Sequence, residues 1–330
     1  MKRNYYIFKN GELKRKDDSL ILKFKNGEHK YIPVKDVESF YFFGELSFNT
    51  KFFNFLSQEG IIAHFFNYYG FYTGSFYPKE TLNSGMLVVK QVEFYLDKDK
   101  RLKLAKEIIY ASAYNIRHNL RYYNTRGRNL EESITRIERL MKNFETANSI
   151  PELMALEGNI REEYYKCFGE IILQEIEFEK RVFHPPDNMV NTLISFMNSL
   201  VYTTVLGEIY KTQLNPLISY LHEPGIRRFS LSLDIAEIFK PLLGDRLLFT
   251  LLNKRQIKEN DFDKDLNYLY LKEKSRKVII QEFDERLKAT VKHRKLKRSV
   301  SYRHLIRLEL YKLIKHLLGE EEYKGFRIWW

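Results

Sequence analysis

Three short segments of this chain carry side chains suited to holding a hard metal ion. The first surrounds Glu157. Leu153, Ile160, Tyr164, Cys167 or Phe168 and Ile171 recur at steps of three, four or seven, as on the apolar face of a helix. Glu157 falls on that face, where an ionised carboxylate is costly unless a cation compensates it, whether a metal or Arg161 one turn on. The second segment is Leu221-His222-Glu223-Pro224-Gly225. Pro224 and Gly225 are expected to break a preceding helix and leave His222 at an element end, although a lone histidine there is by default a structural one. The third runs from Ser232 to Pro241, where Asp234 and Glu237 stand three apart and share a face if the segment is helical. Two like charges on one face repel unless a cation lies between them, but first-turn acids also stabilise a helix N-terminus with no metal at all. Together the segments offer one imidazole and two or three carboxylates. That set is rich in hard oxygen and lacks sulfur, so it suits Mg2+ or Mn2+ better than structural zinc.

The elements that must position these side chains change character near residue 80. Residues 1–80 read as β-structure: Asn10-Gly11 and Asn26-Gly27 favour tight hairpins, and Leu20-Ile21-Leu22 and Tyr31 to Val34 read as half-buried strands. A short helix is predicted from Asn49 or Thr50 to Gly60, then a strand over Ile61–Phe66 and a hairpin within Tyr68–Tyr77. These 80 positions hold 21 of the 50 aromatic residues, more than a small sheet easily buries, which points to packing against a second copy or the helical half. Residues 81–97 are read as a linker and the start of the helical region, with the turn at Thr81–Gly85 as the boundary. Residues 98–330 are read as an all-α domain, with capping boxes at Asn129/Glu132 and Ser149/Glu152 and a cap at Asp187. The fold class is therefore α+β, a small β-sandwich-like domain followed by a larger α domain.

Lys and Arg number 55 against 43 Asp and Glu, a net charge of +12 with a pI near 9.4, which favours a polyanionic partner. Residues 286–316 hold eleven Lys or Arg against Glu309 alone, so +10 of the +12 lies there. A run of this kind is either a solvated helical face or a surface that tracks phosphates, here beside Tyr302, Trp329 and Trp330. No apolar run approaches the roughly 18 residues of a membrane span, and the N-terminus lacks the features of a signal peptide. With Cys167 as its one cysteine the chain forms no internal disulfide, and a cytoplasmic setting fits. No phosphate-binding or dinucleotide fingerprint is present.

The same segments resemble the CRISPR-associated adaptation integrases, the endonuclease-like proteins that insert new spacers into a CRISPR array. The resemblance lies in Leu156-Glu157-Gly158 with Arg161, Asn191 to Ser195, Asn215-Pro216 leading into Leu221–Gly225, Asp234 to Pro241, and Asp245-Arg246. The order and spacing of these pieces and the β-then-α plan match over essentially the whole chain, nearest to type I-B members. The resemblance implies Glu157, His222 and Glu237 as ligands of Mg2+ or Mn2+, with Asp234 as a neighbouring acid. It implies a homodimer joined through the β domains, two such dimers bridged by a dimer of the small second adaptation protein, double-stranded DNA as substrate, and transesterification by a 3′-hydroxyl. Phosphates would meet Arg161, Lys240, Arg286, Lys292, Arg294, Lys295, Lys297, Arg298 and Arg303. Two departures stand out. Lys240 replaces a frequent Arg, and Phe196-Met197 replaces a common Gly-Tyr pair, so no catalytic tyrosine is assigned. Two other readings stay open: a non-catalytic basic DNA-binding scaffold whose acids are ion pairs, and a general metal-dependent nuclease acting on RNA or branched DNA.

Overall fold

The computed structural model describes every residue except Met1, Lys25, Glu80, Thr81, Asn83, Glu177, 183–185, 226–228 and 264–269. The boundary turn expected at Thr81–Gly85 lies partly outside the described residues. Two compact units emerge, Met1–Asn83 with Leu271–Ile280, and Ser84–Tyr270 with Gln281–Trp330.

The first unit contains β1 (Arg3–Ile7), β2 (Gly11–Lys16), β3 (Ser19–Phe24), β4 (His29–Pro33), β5 (Val37–Phe42), β6 (Leu46–Phe48), α1 (Thr50–Glu59), β7 (Ile62–Phe66) and β8 (Tyr72–Phe76). They form two four-stranded sheets, ordered β1-β5-β7-β8 and β4-β3-β2-β6. Leu13, Leu20, Leu22 and Ile32 from one sheet, Ile7, Phe40, Phe42 and Ala63 from the other, and Phe52 and Leu56 of α1 share one core. That core absorbs many of the aromatics, with Phe42 in ring contact with Phe48, Phe52 and Phe65. Helix α1 begins and ends as its residues dictate: Asn49 accepts from the Phe52 amide at 3.0 Å, and Gly60 closes it at φ 65°.

Asn26-Gly27 does turn a hairpin, with Gly27 at φ 84° between β3 and β4. Asn10-Gly11 does not: β1 pairs in parallel with β5, while β2 enters the other sheet. Gly11 is required there for another reason, since a Cβ would lie 2.2 Å from the Lys23 carbonyl oxygen. The hairpin expected within Tyr68–Tyr77 is instead made by β7 and β8, joined through Gly70 at φ 86°.

The second unit is mainly helical. Residues read as a linker form α2 (Gly85–Leu96), capped by Ser84, followed by α3 (Lys98–Asn124), α4 (Glu131–Thr146), α5 (Ile150–Lys166), α6 (Phe168–Ile171) and α7 (Met189–Ile209). Next come α8 (Ser230–Lys240), a π-helical turn over Pro241–Asp245 and α9 (Arg246–Asn253). Further on lie β9 (Phe262–Asp263), β10 (Tyr270–Leu271), α10 (Glu273–Lys288), whose first part belongs to the other unit, β11 (Thr290–Lys292), β12 (Ser299–Ser301) and α11 (Tyr302–Leu317).

Helix starts differ from the sequence reading by a residue or a partner. Ser149 caps α5 as expected, but Glu152 accepts from the Asn148 amide at 2.8 Å instead of closing a box. Asn188, not Asp187, caps α7. Leu130 precedes α4 without a side-chain cap, and Asn124 accepts from its amide in place of Asn129. Helix α7 overturns the expectation that no apolar run approaches the length of a membrane span. By length and composition it could cross a membrane, yet 78% of its apolar window is buried inside the protein, as in a core helix.

Candidate metal centre

Helix α5 buries Leu153, Ile160 and Tyr164 as its spacing requires, which leaves Glu157 half-buried at the margin of that face. Arg161, one turn on, donates Nε to Glu157 Oε1 at 2.8 Å, and its Nη2 donates to Glu237 Oε2 of α8. Lys240 donates to the other oxygen of Glu237. The three charged groups of Arg161, Glu157 and Glu237 retain 12%, 20% and 10% of their side-chain exposure, so their attraction is little screened. Burial works against the charge of Glu237, but Lys240 and Arg161 outweigh it and hold the carboxyl well below the usual carboxylate range. Burial likewise opposes the charge on Arg161, and Glu237 and Glu157 overcome it.

His222 reaches the same region from a loop rather than from a helix end, because α7 stops at Ile209 and residues 210–225 form turns, bends and irregular backbone. Asp234 explains how such a loop is fixed. It is fully buried in the middle of α8, outside the first turn where a helix-stabilising acid would sit. Its carboxylate accepts from the amides of Tyr220, Leu221 and His222 at 2.7, 3.0 and 2.9 Å, and from His222 Nδ1 at 2.8 Å. Arg101 adds a bond to the Tyr220 carbonyl at 2.9 Å and an ion pair with Glu223 at 2.6 Å. With Nδ1–H committed to Asp234, Nε2 of a neutral His222 carries the free lone pair. Burial pulls the imidazole pKa down, but the Asp234 bond and charge, with Glu237, bring it above the ordinary value.

The structure thus joins Glu157 to Glu237 through Arg161 and joins His222 to Asp234, with Glu237 near enough to act on His222 electrostatically. Among the described residues no three His, Cys, Asp or Glu side chains stand close enough to share one ion, and Arg161 and Lys240 pair with the carboxylates instead. Arg161 and Lys240, read from sequence as phosphate contacts, are here partners of acids. The chemistry of the donors still matches a hard divalent cation. Two carboxylates already share one positive charge, and a tautomer-fixed imidazole lies beside them.

The long basic run is not one helical face. Lys292 to Arg298 form an exposed hairpin tip between β11 and β12, and Arg294 donates to the Trp329 carbonyl at 3.3 Å. Other cations of the run meet acids: Lys288 with Asp284, Arg303 with Asp284 at 4.0 Å, Arg307 with Glu208, and Lys312 with Glu309. Arg286 turns inward and donates to the Leu242 carbonyl.

A β-rich unit and a helical unit that gathers an imidazole, three carboxylates and two basic partners define an α+β architecture with an acid-rich polar centre. A family model described as CRISPR associated protein Cas1 matches residues 5–285, and the chain belongs to that family. A CRISPR-associated endonuclease Cas1 of Fusobacterium nucleatum is 57% identical over 330 residues, covering 100% of this chain and 98% of the relative. One of Haloferax volcanii is 42% identical over 329 residues, covering 100% and 99%. The solved structure of a CAS1 protein from Thermotoga maritima matches with a TM-score of 0.88 and 44% identity, over 98% of this chain and 100% of that one. A casposase bound to integration product shares the fold at a TM-score of 0.86 and 19% identity, over 98% and 92%.

Proposed function

We propose that the chain is a divalent-metal-dependent DNA endonuclease and integrase that inserts DNA fragments as new spacers into a CRISPR array by transesterification. The observation that carries the reading is the pair of linked motifs, Glu157–Arg161–Glu237 and His222–Asp234, in a family whose members are named CRISPR-associated endonucleases. Glu157, Glu237 and Nε2 of His222 would hold Mg2+ or Mn2+. When bound, the ion supplies Lewis acidity toward the attacked phosphoryl oxygen.

The chain's own residues do the rest. Asp234 keeps the imidazole in one tautomer and orientation. Arg161 and Lys240 keep Glu237 ionised, and once Glu157 and Glu237 turn to an ion the two cations are free to bind phosphate oxygens. One phosphodiester is made as another is broken, so the exchange is close to energy-neutral and needs no nucleotide. The exposed cations Lys292 to Arg298 would neutralise backbone phosphates without reading bases.

Integration by a protein of this fold accords with the casposase neighbour bound to an integration product. A neighbour of TM-score 0.85 is a Cas6-RT-Cas1–Cas2 complex, which supports Cas2 as the small partner; its dimer would bridge two homodimers of this chain in the cytoplasm.

Strand transfer of a labelled DNA into a supercoiled repeat-bearing plasmid, with Mn2+ and Cas2 present, tests the reading. H222A and E157Q are expected to lose at least about 100-fold in product, to bind Mn2+ more weakly by electron paramagnetic resonance, and to keep the wild-type circular dichroism spectrum. Unchanged integration by both variants would leave a non-catalytic scaffold as the better account. Faster cleavage of RNA than transfer of DNA would favour a general nuclease.

A further inference from the structure

Most part-buried arginines of the second unit described so far meet a carboxylate: Arg161 with Glu157 and Glu237, Arg101 with Glu223 at 2.6 Å, Arg307 with Glu208 at 2.6 Å. Two others do not. Arg246, at the start of α9, donates Nε to Asn119 Oδ1 at 2.6 Å and lies 6.0 Å from the centre of the Tyr122 ring. Arg286, near the end of α10, donates Nη1 to the Leu242 carbonyl at 3.1 Å. Both are half-buried, and their remaining N–H groups have no acceptor among the described residues.

Among the described residues no acid lies within bonding distance of either guanidinium. Burial pushes the Arg286 pKa down and the positive charge of Arg246 pushes it further, with Tyr302 opposing. Burial does the same to Arg246, opposed by Tyr302 and Tyr164. Glu282, one turn before Arg286, feels that charge but accepts from Gln256 at 3.2 Å, and Asp245 faces Arg161 and Lys240. A third cation, Arg126, sits 4.4 Å over Tyr122, and His118 is depressed first by burial and then by Arg246. The Tyr302 hydroxyl is fixed by accepting from Trp330 Nε1 at 3.1 Å. Two half-buried guanidiniums tied by neutral acceptors to neighbouring carbonyls, Arg246 through Asn119 to Pro241 and Arg286 to Leu242, repel each other unless an anion joins them, and a phosphate matches their planar forks.

We propose that Arg246 and Arg286, flanked by Tyr122 and Tyr302, form a seat for one backbone phosphate of bound DNA. That the anion belongs to DNA rests on the function proposed above. The seat has a direct path to the metal centre. Asn119, which holds Arg246, also donates to the Pro241 carbonyl at 2.8 Å, at the end of the helix that carries Glu237. A phosphate gripped here fixes the strand relative to the reacting centre, a task the solvated hairpin tip cannot perform.

Methylphosphonate scanning tests it: the full-length protein in EDTA binds fluorescein-labelled duplexes with a 3′ single-stranded extension, each carrying one uncharged linkage. Wild type is expected to lose about tenfold in affinity at one linkage, the worth of a charge-assisted bond. R246Q/R286Q should bind the unmodified DNA more weakly, with a salt slope smaller by about 0.9, and lose nothing further at that linkage, and R286Q should bind more weakly and lose less there than wild type. R286Q leaves the Asn119 pair intact, so it carries the test if the double variant fails to fold. K295Q/K297Q, in the hairpin, should weaken binding but keep the wild-type linkage profile. A double or single variant with the wild-type profile overturns the seat alone. A wild type that binds none of these DNAs overturns the DNA reading and the seat with it.

Discussion

Arg161 is the residue on which the centre turns, because it holds two carboxylates that belong to helices far apart in sequence. Replacing it with Met leaves the half-buried Glu157 without its cation and the buried Glu237 with Lys240 alone, at a cost of about 3–5 kcal/mol without metal. If a cation belongs in its place, saturating Mn2+ should raise the melting temperature of R161M more than that of wild type, by the mass action of a ligand that binds only the folded state. Equal shifts in differential scanning calorimetry would show that Arg161 does not stand where the ion goes. Half of this arrangement was legible from residue types: Glu157 and Arg161 are four apart on one helix, so their pairing could be read directly. The bond from Arg161 to Glu237 spans 76 positions and has no periodic signature. Asp234 was legible as an acid near the core, but not as the anchor of the His222 loop, because three of its four bonds go to backbone amides whose positions no side-chain pattern reveals.

At the scale of elements, the π turn after α8 sets a buried acid on display. Asp245 is buried, its Oδ2 has no hydrogen-bond partner among the described residues, and burial raises its pKa to about 6. The folded state therefore keeps a proton that the unfolded chain gives up at lower pH. Folding becomes less favourable as pH rises from the ordinary carboxyl value through about 6, and the penalty is complete above that. D245N should then exceed wild type in stability by about 1–3 kcal/mol at pH 8 and lose that advantage near pH 4, in urea unfolding at both pH values. A stability difference independent of pH would mean that the carboxyl titrates normally. Elements with strong local signals, such as α1 between Asn49 and Gly60 or α5 behind Ser149, were readable. The hairpin at 290–301 was not. Its strands are three residues each, and its charge run looks the same on a helix as on a turn.

At the scale of the whole molecule, the change from strand to helix near residue 80 and the α+β class followed from periodicity alone. Long-range docking did not. Residues 325–328 lie along α3, with Phe326 and Ile328 bonded to Asn115 and the Gly325 amide donating to Glu107. A Cβ on Gly325 would lie 2.5 Å from Ala111 Cβ and 2.8 Å from the Glu107 carbonyl oxygen. G325A should cost about 1–3 kcal/mol by overpacking, seen as a lower thermal midpoint, and cleavage of the 323–330 segment under limited proteolysis should accelerate. An unshifted midpoint would show that this segment contributes little to the fold.

Asn115 gives that segment one more consequence. Its amide nitrogen donates both to the Ile238 carbonyl of α8, at 3.0 Å, and to the Phe326 carbonyl, at 3.1 Å. The helix bearing Asp234 and Glu237 is thus clamped by residues made nearly ninety codons later. During translation its last tie forms only after residue 326 leaves the ribosome, so the setting of Asp234 and Glu237 is completed late in synthesis.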